Sequence, residues 1–310
     1  MQIMSKIVAM PYLRDLIGAF IPALLLMACG NNAPKHPDTL SKGNIDISVD
    51  ETYRPVIEQQ LKVFDSSFPE ANINAHYKPE SECFKDFFDN KARLILATRE
   101  LSADEKKYCE QNNIVPVTVP LAKDAVAIVL NPSSEDTILD VNSVKGILTG
   151  VYKKKYTVVF DNPGSSTLRY IQDSLLGGQK LGANVFAAKG NEEVIDYVAK
   201  NPDAIGFVGL GYVGTHSDST GVNEFINKVK VAGIYNDSAR RVYKPYQAYI
   251  ALKLYPFTRR LYYINRETYP GLGTGFANFL YGGRGQLIFG HAHLFPLQMN
   301  MVIRDAAINQ

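Results

Sequence analysis

Cysteine is scarce in this sequence: three residues in 310, none of them in a CxxC pair. That excludes a disulfide scaffold and a zinc ribbon, which need more thiols at closer spacing. A surplus of either charge sign is also missing. Lys and Arg total 33 against 31 Asp and Glu, a net charge of +2. The chain therefore lacks the basic excess of a nucleic-acid binder and the charge block of a disordered tail. With 23 Gly and 16 Pro it is neither collagenous nor of low complexity. There is no HExxH, no P-loop and no GxSxG, and no nucleophile stands beside a base, so no catalytic residue is assigned. No apolar run reaches the roughly 20 residues of a membrane-spanning helix.

Leu16 to Ala28 comes nearest, with no charge in the run. Lys6 and Arg14 precede it and Ala28-Cys29-Gly30 ends it, the parts of a secretory signal over residues 1–28. Leu26-Met27-Ala28-Cys29 resembles the lipobox of bacterial lipoproteins, in which the cysteine becomes the first mature residue and carries lipid. The alternatives are an ordinary signal peptide cut nearby and an anchor that is never cut. Residues 29–43 are polar, with Asn31, Asn32, Pro34 and Pro37, and read as a lipidated tether. An exported compartment is oxidising, so the remaining Cys83 and Cys109 are either bridged or two buried free thiols.

From Asn44 onward, short apolar runs alternate with segments of helical spacing. Asn44 to Val49 reads as a strand, and Tyr53, Ile57, Leu61 and Phe64 as a helix face capped by Thr52. Ile73 to Tyr77 is a second strand, Ser81 caps the next helix, and Arg93 to Ala97 is a third strand. Val115 to Val119 and Ala125 to Leu130 read as two strands on either side of Asp124, and Tyr249 to Leu254 as another. The pattern is that of an α/β protein with helices on the faces of its sheet.

Gly209-Leu210-Gly211-Tyr212-Val213-Gly214 is a literal GxGxxG. A dinucleotide site needs a helix directly after it, but a polar turn stretch follows, so the reading as a nicotinamide-dependent dehydrogenase is the weaker one. His291-Ala292-His293 has no carboxylate or third histidine nearby and assigns no metal. Asp161-Asn162-Pro163-Gly164-Ser165-Ser166-Thr167 differs. It follows the strand Thr157 to Phe160 and opens a helix read over Ser165 to Leu175, placing hydroxyls and unpaired amides where an anion would bind. Plain N-capping by Ser165 is the alternative. Thr52, Ser81 and Thr98-Arg99 lie in three further loops that leave strands, the end of an α/β sheet where ligands gather.

With those loops in view, the sequence resembles the phosphate-binding proteins of ABC transporters, in the type II periplasmic-binding-protein superfamily. The likeness is carried by Asp50 to Pro55, by Ala97-Thr98-Arg99-Glu100-Leu101 with Val119 to Ala127, and by Ile147-Leu148-Thr149-Gly150. Gly164-Ser165-Ser166-Thr167, Ala204 to Gly209 and Tyr255 to Tyr262 complete it. The resemblance implies two α/β lobes with mixed sheets, residues 44–123 with 244–310 and residues 124–243, closing over a ligand cleft. It implies an exported, lipid-anchored, monomeric binding protein, periplasmic or cell-surface, without cofactor or enzymatic activity. Such a protein takes phosphate or a similar small oxyanion and hands it to an ABC permease. The implied ligand residues are Thr52, Tyr53, Ser81, Thr98, Arg99, Asp161, Ser165, Ser166 and Thr167. Three of them depart from the family, which has an acidic residue where Arg99 stands, an arginine where Asp161 stands and, in a smaller change, a glycine where Ser166 stands. The exchanged charges imply either an Arg99–Asp161 pair across the cleft or a different ligand or partner on the same fold. Glu80 and Glu82, beside Ser81, add negative charge that an oxyanion would not welcome.

Overall fold

Buried Ile45, Ile47 and Val49 line one face of β1 (Gly43–Asp50), and the helical spacing of Val56, Ile57, Gln60 and Phe64 makes α1 (Arg54–Ser67), with Pro55 in its first turn. β2 (Ala71–Lys78), α2 (Glu80–Phe88), β3 (Leu94–Ala97) and α3 (Ala103–Gln111) continue the alternation. β4 (Val117–Leu130), β5 (Ile138–Asp140), α4 (Val141–Thr149), β6 (Thr157–Phe160), α5 (Ser166–Ile171), β7 (Val185–Ala187), α6 (Asn191–Lys200) and β8 (Ala204–Gly209) follow. Four short strands come next: β9 (Gly214–His216), β10 (Asn223–Phe225), β11 (Lys230–Val231) and β12 (Gly233–Asn236). The last elements are β13 (Arg241–Tyr243), α7 (Gln247–Ala251), β14 (Thr258–Asn265), α8 (Leu272–Tyr281), α9 (Gly283–His291) and β15 (Phe295–Pro296). This computed structural model describes residues 36–216 and 223–299. The expected signal segment 1–28 and the expected lipidation residue Cys29 lie outside the described residues. Among the described residues no helix is long and apolar enough to cross a membrane.

The main sheet runs β2-β1-β3-β14-β4-β8-β6-β7, with β11 and β15 also paired to β4. β1 is parallel to β2 and β3, and β6 is parallel to β7 and β8, while β14 and β4 run antiparallel to their neighbours. It is the mixed-sheet α/β fold expected above. β4 does not break into two strands. Its first part pairs with β14 and its second with β8, and Asp124 stays in the ladder opposite Arg259. Tyr249 to Leu254, expected as a strand, is instead the end of α7 and a turn, with Tyr249 packed on Tyr243 and Tyr246.

Buried side chains fall into separate groups. One holds Ile45, Ile47, Val49, Phe64, Leu121, Leu261 and Phe276, with Cys83, Phe87, Ile95 and Ile264 forming a small cluster of their own. The other runs from Ala125 to Phe257 and holds Ile128, Ile147, Phe160, Ile205 and Phe207. β4 passes from the first group at Ala122 to the second at Ala125. The segments that leave β1, β3 and β6 carry Thr52, Thr98 and Asp161 to Ser165, and Ser81 lies in the first turn of α2, after β2.

Cys83 and Cys109 are both free and buried, so the bridge considered for them is not formed. The Cys83 thiol donates to the Lys78 carbonyl at 3.8 Å and packs among Phe84 and Phe87, and burial pushes both thiols to higher pKa. The polar stretch read as a tether is anchored by Asp38, which is buried against the Arg93 guanidinium and the Tyr269 hydroxyl.

Candidate functional site

β1 ends in Asp50, whose carboxylate caps a single turn, Glu51–Tyr53, by accepting from the Thr52 amide at 3.1 Å. Thr52 is therefore inside this turn and does not cap α1. Its hydroxyl instead lies 3.4 Å from the Ser166 hydroxyl. The methyl of Thr52 fills the space above Gly209, where a Cβ would come within 2.2 Å of it. That contact accounts for the first glycine of the GxGxxG. The segment after it is a short turn, Leu210–Tyr212, that leads into β9. No helix N-terminus faces the glycines, and the dinucleotide reading falls with it.

The centre of the cluster is an arginine that sequence reading did not select. Arg259 lies on β14, and its Nε donates to Asp124 Oδ2 at 2.9 Å. Its Nη1 donates to Ser166 Oγ at 3.0 Å and to Thr167 Oγ1 at 3.4 Å. The Tyr53 hydroxyl donates to the same Asp124 oxygen at 3.0 Å, and the guanidinium stands 5.6 Å from the centre of the Tyr53 ring. Both partners of the ion pair are 2% exposed. Burial opposes the charge, but Tyr53, Asp124 and Asp50 push the guanidinium to higher pKa, so it is charged. Its Nη2 is buried with no hydrogen-bond partner among the described residues.

Carboxylates surround it. Asp161 is fully buried, accepts from Asn191 Nδ2 at 3.2 Å, and leaves Oδ1 without a partner. Burial pushes its pKa up to about 6. Asp50 also has one buried oxygen, Oδ2, without a partner. Burial, and after it the nearby Glu80 carboxylate, pushes Asp50 up to about 7. Ser165 caps α5 by accepting from the Leu168 amide at 3.0 Å. That helix runs on directly from Ile171 as a π-helical stretch, Gln172–Leu176, and the Ser166 and Thr167 hydroxyls lie in its first turn.

A second polar cluster joins the same loops. Glu80 is 2% exposed, and its Oε1 accepts from the Thr98 amide and hydroxyl, both at 2.7 Å. Its Oε2 accepts from Arg169 Nε at 2.7 Å, and Arg169 Nη2 donates to Thr98 Oγ1 at 2.6 Å. Against the rise that burial imposes, Arg169 and Thr98 hold the Glu80 carboxyl below its usual range. Pro79, not Ser81, stands at the N-cap of α2. The Ser81 amide donates to the Gly164 carbonyl at 3.3 Å.

The structure thus brings together Thr52, Tyr53, Asp161, Ser165, Ser166 and Thr167, with Ser81 and Thr98 alongside. Arg99 is not with them. Its guanidinium makes two bonds to the Glu105 carboxylate, at 2.6 and 2.9 Å, and lies over the Phe84 ring. The expected Arg99–Asp161 pair therefore does not exist. The reason is local: Ser102 and Glu105 form a capping box at the start of α3, which fixes a carboxylate within reach of Arg99. Arg259 had a signal of its own. Alternation along β14 puts it on the face of the buried Leu261, where a charge needs a partner.

Comparison with known proteins places the chain in a family and matches its fold. Residues 34–284 match the family model described as PBP superfamily domain. Over 257 residues the chain is 22% identical to the phosphate-binding protein PstS of Staphylococcus aureus, covering 79% of this chain and 75% of that one. The fold is shared with a Clostridium perfringens structure solved with bound phosphate, at TM-score 0.70 and 20% identity over 82% of this chain and all of the other. It is also shared with an ABC-type phosphate transport receptor from Vibrio cholerae, at TM-score 0.60 and 17% identity, over 82% of this chain and 99% of that one.

Proposed function

The chain belongs to the PBP superfamily, and we propose that it is an extracytoplasmic binding protein that captures a small oxyanion, phosphate above others, for an ABC permease. The observation that carries this reading is Arg259 Nη2, a charged donor buried without a partner beside two hydroxyls. Such a donor is costly unless a ligand oxygen accepts from it. The unpartnered Asp50 Oδ2 and Asp161 Oδ1 would accept from a ligand O–H, which suits phosphate that keeps a proton. The proposed lobes are residues 44–123 with 244–310 and residues 124–243, and the ligand closes one onto the other. The protein would act as a monomer, held to the membrane by lipid on Cys29 and released from it by Cys29→Ala.

Equilibrium dialysis with phosphate tests the reading. Wild type should bind one phosphate, and Arg259→Met should lose at least about 30-fold in affinity, the scale of a buried charge that loses its partner. Folded wild type that binds no phosphate would overturn it. A second reading is a surface protein of the same fold that takes a neutral or cationic ligand. Its support is the charge count, in which Asp50, Glu80, Asp124 and Asp161 surround Arg169 and Arg259.

A further inference from the structure

Glu80 behaves as an anion bound by its own protein. Taking a carboxylate out of water costs several kcal/mol unless charge-assisted donors replace the water. Here three do so: the Thr98 amide, the Thr98 hydroxyl and Arg169 Nε. Two come from the loop after β3. The third comes from α5, whose Leu168 and Ile171 pack on the other hydrophobic core. The pair therefore spans the loops of the two cores.

Its neighbours span them too. The Ser81 amide reaches the Gly164 carbonyl, and Asn162 Nδ2 donates to Glu51 Oε1 at 2.7 Å. Thr52 meets Ser166 at 3.4 Å. A Cβ on Gly164 would stand 2.4 Å from Ser81 Oγ, so the two loops touch with no room between them. Of these contacts, only Glu80–Arg169 is an ion pair that is fully buried on one side, with side-chain exposures of 3% and 32%.

We propose that Glu80 and Arg169 form a latch that holds the two sides of the cleft together, with the Glu80 carboxylate as an internal anion that a captured solute must outcompete. The latch half stands on geometry alone, and the competition half rests on the oxyanion reading above. Thr98, whose amide and hydroxyl would otherwise serve a ligand, is committed to Glu80. A dianion arriving beside Arg259 also meets the charge of Glu80 before any donor is released. Capture of the solute and release of Thr98 from Glu80 are then one event, and Glu80 sets how tightly the solute is held.

Glu80→Gln and Arg169→Gln separate the two halves. Arg169 is partly exposed, so its variant keeps the fold even if a change at buried Glu80 does not. Hydrogen exchange is read over residues 51–54, past Asp50, whose carboxyl Glu80 acts on, and phosphate is titrated into the full chain. Both variants should exchange there at least about ten-fold faster than wild type, as local opening becomes easier. Glu80→Gln should bind phosphate at least about five-fold more tightly, because a like charge has gone. Unchanged exchange in both variants overturns the latch, whatever phosphate does. Faster exchange with weaker phosphate binding in Glu80→Gln overturns the internal anion. Faster exchange with no phosphate binding in any protein supports the latch and removes the oxyanion reading instead.

Discussion

Arg259 Nε and Asp124 Oδ2 are 2.9 Å apart at directly opposed positions of β14 and β4, each side chain 2% exposed. The register of the central sheet therefore fixes the one fully buried guanidinium of the described cluster. Removing one partner of such a pair leaves the other charge unpaired in the interior. Arg259→Met should cost about 3–5 kcal/mol of stability, read by urea unfolding, and Asp124→Asn in the same chain should restore part of it. Equal stability of wild type and Arg259→Met would show that the pair is not what holds these strands.

A pH dependence follows from two raised carboxyls. Folding pushes Asp50 up to about 7 and Asp161 up to about 6, against about 3.9 for an ordinary aspartate. Between those values the folded chain holds protons that the unfolded chain has released, so stability falls as pH rises through about 4 to 7. Asp38, Glu80 and Asp86 are lowered by folding and act oppositely, losing their contribution as pH falls through the ordinary carboxylate range. Thermal unfolding should show a maximum near pH 5. Asp50→Asn should flatten the alkaline limb and gain on the order of 1–3 kcal/mol at pH 8. An alkaline limb of the same slope in that variant would contradict the assignment.

The alternating fold was legible because buried strands and amphipathic helices differ in period, and the loops after strands named most of the clustered hydroxyls. What was not legible came from pairing at a distance. Asp124 read as part of a break between two strands, because a charge in an apolar run usually marks an edge. The partner that buries Asp124 lies 135 positions later. Arg99 follows a strand just as a ligand residue would, and only the capping box three residues further on draws it away. Tyr249 to Leu254 is a short apolar run, where helix and strand share the same composition.

Gly209 gives a steric prediction. A methyl group there would stand 2.2 Å from Thr52 Cγ2 and 3.3 Å from the Thr52 carbonyl. Gly209→Ala should destabilise by about 1–3 kcal/mol through overpacking. Thr52→Ser, which keeps the hydroxyl and removes the methyl, should recover much of that loss in the double variant. Additive costs in chemical denaturation would rule out this contact as the cause.

Thiol labelling distinguishes buried from bridged cysteines. Without reductant, native protein should leave Cys83 and Cys109 unlabelled, since both are buried. The same protein in denaturant should label at both. Absence of label after unfolding would mean that a bridge forms.

Calorimetric titration of the wild-type protein with phosphate and with sulfate, at one ionic strength and at pH 8, above the range in which Asp50 and Asp161 hold protons, tests the proposed function most directly. Phosphate carries a hydrogen for Asp50 Oδ2 or Asp161 Oδ1, and sulfate leaves those acceptors facing bare oxygens. The account predicts one phosphate per chain and sulfate binding weaker by at least about ten-fold. Sulfate bound as tightly as phosphate, or no heat from either with the protein folded, would contradict it.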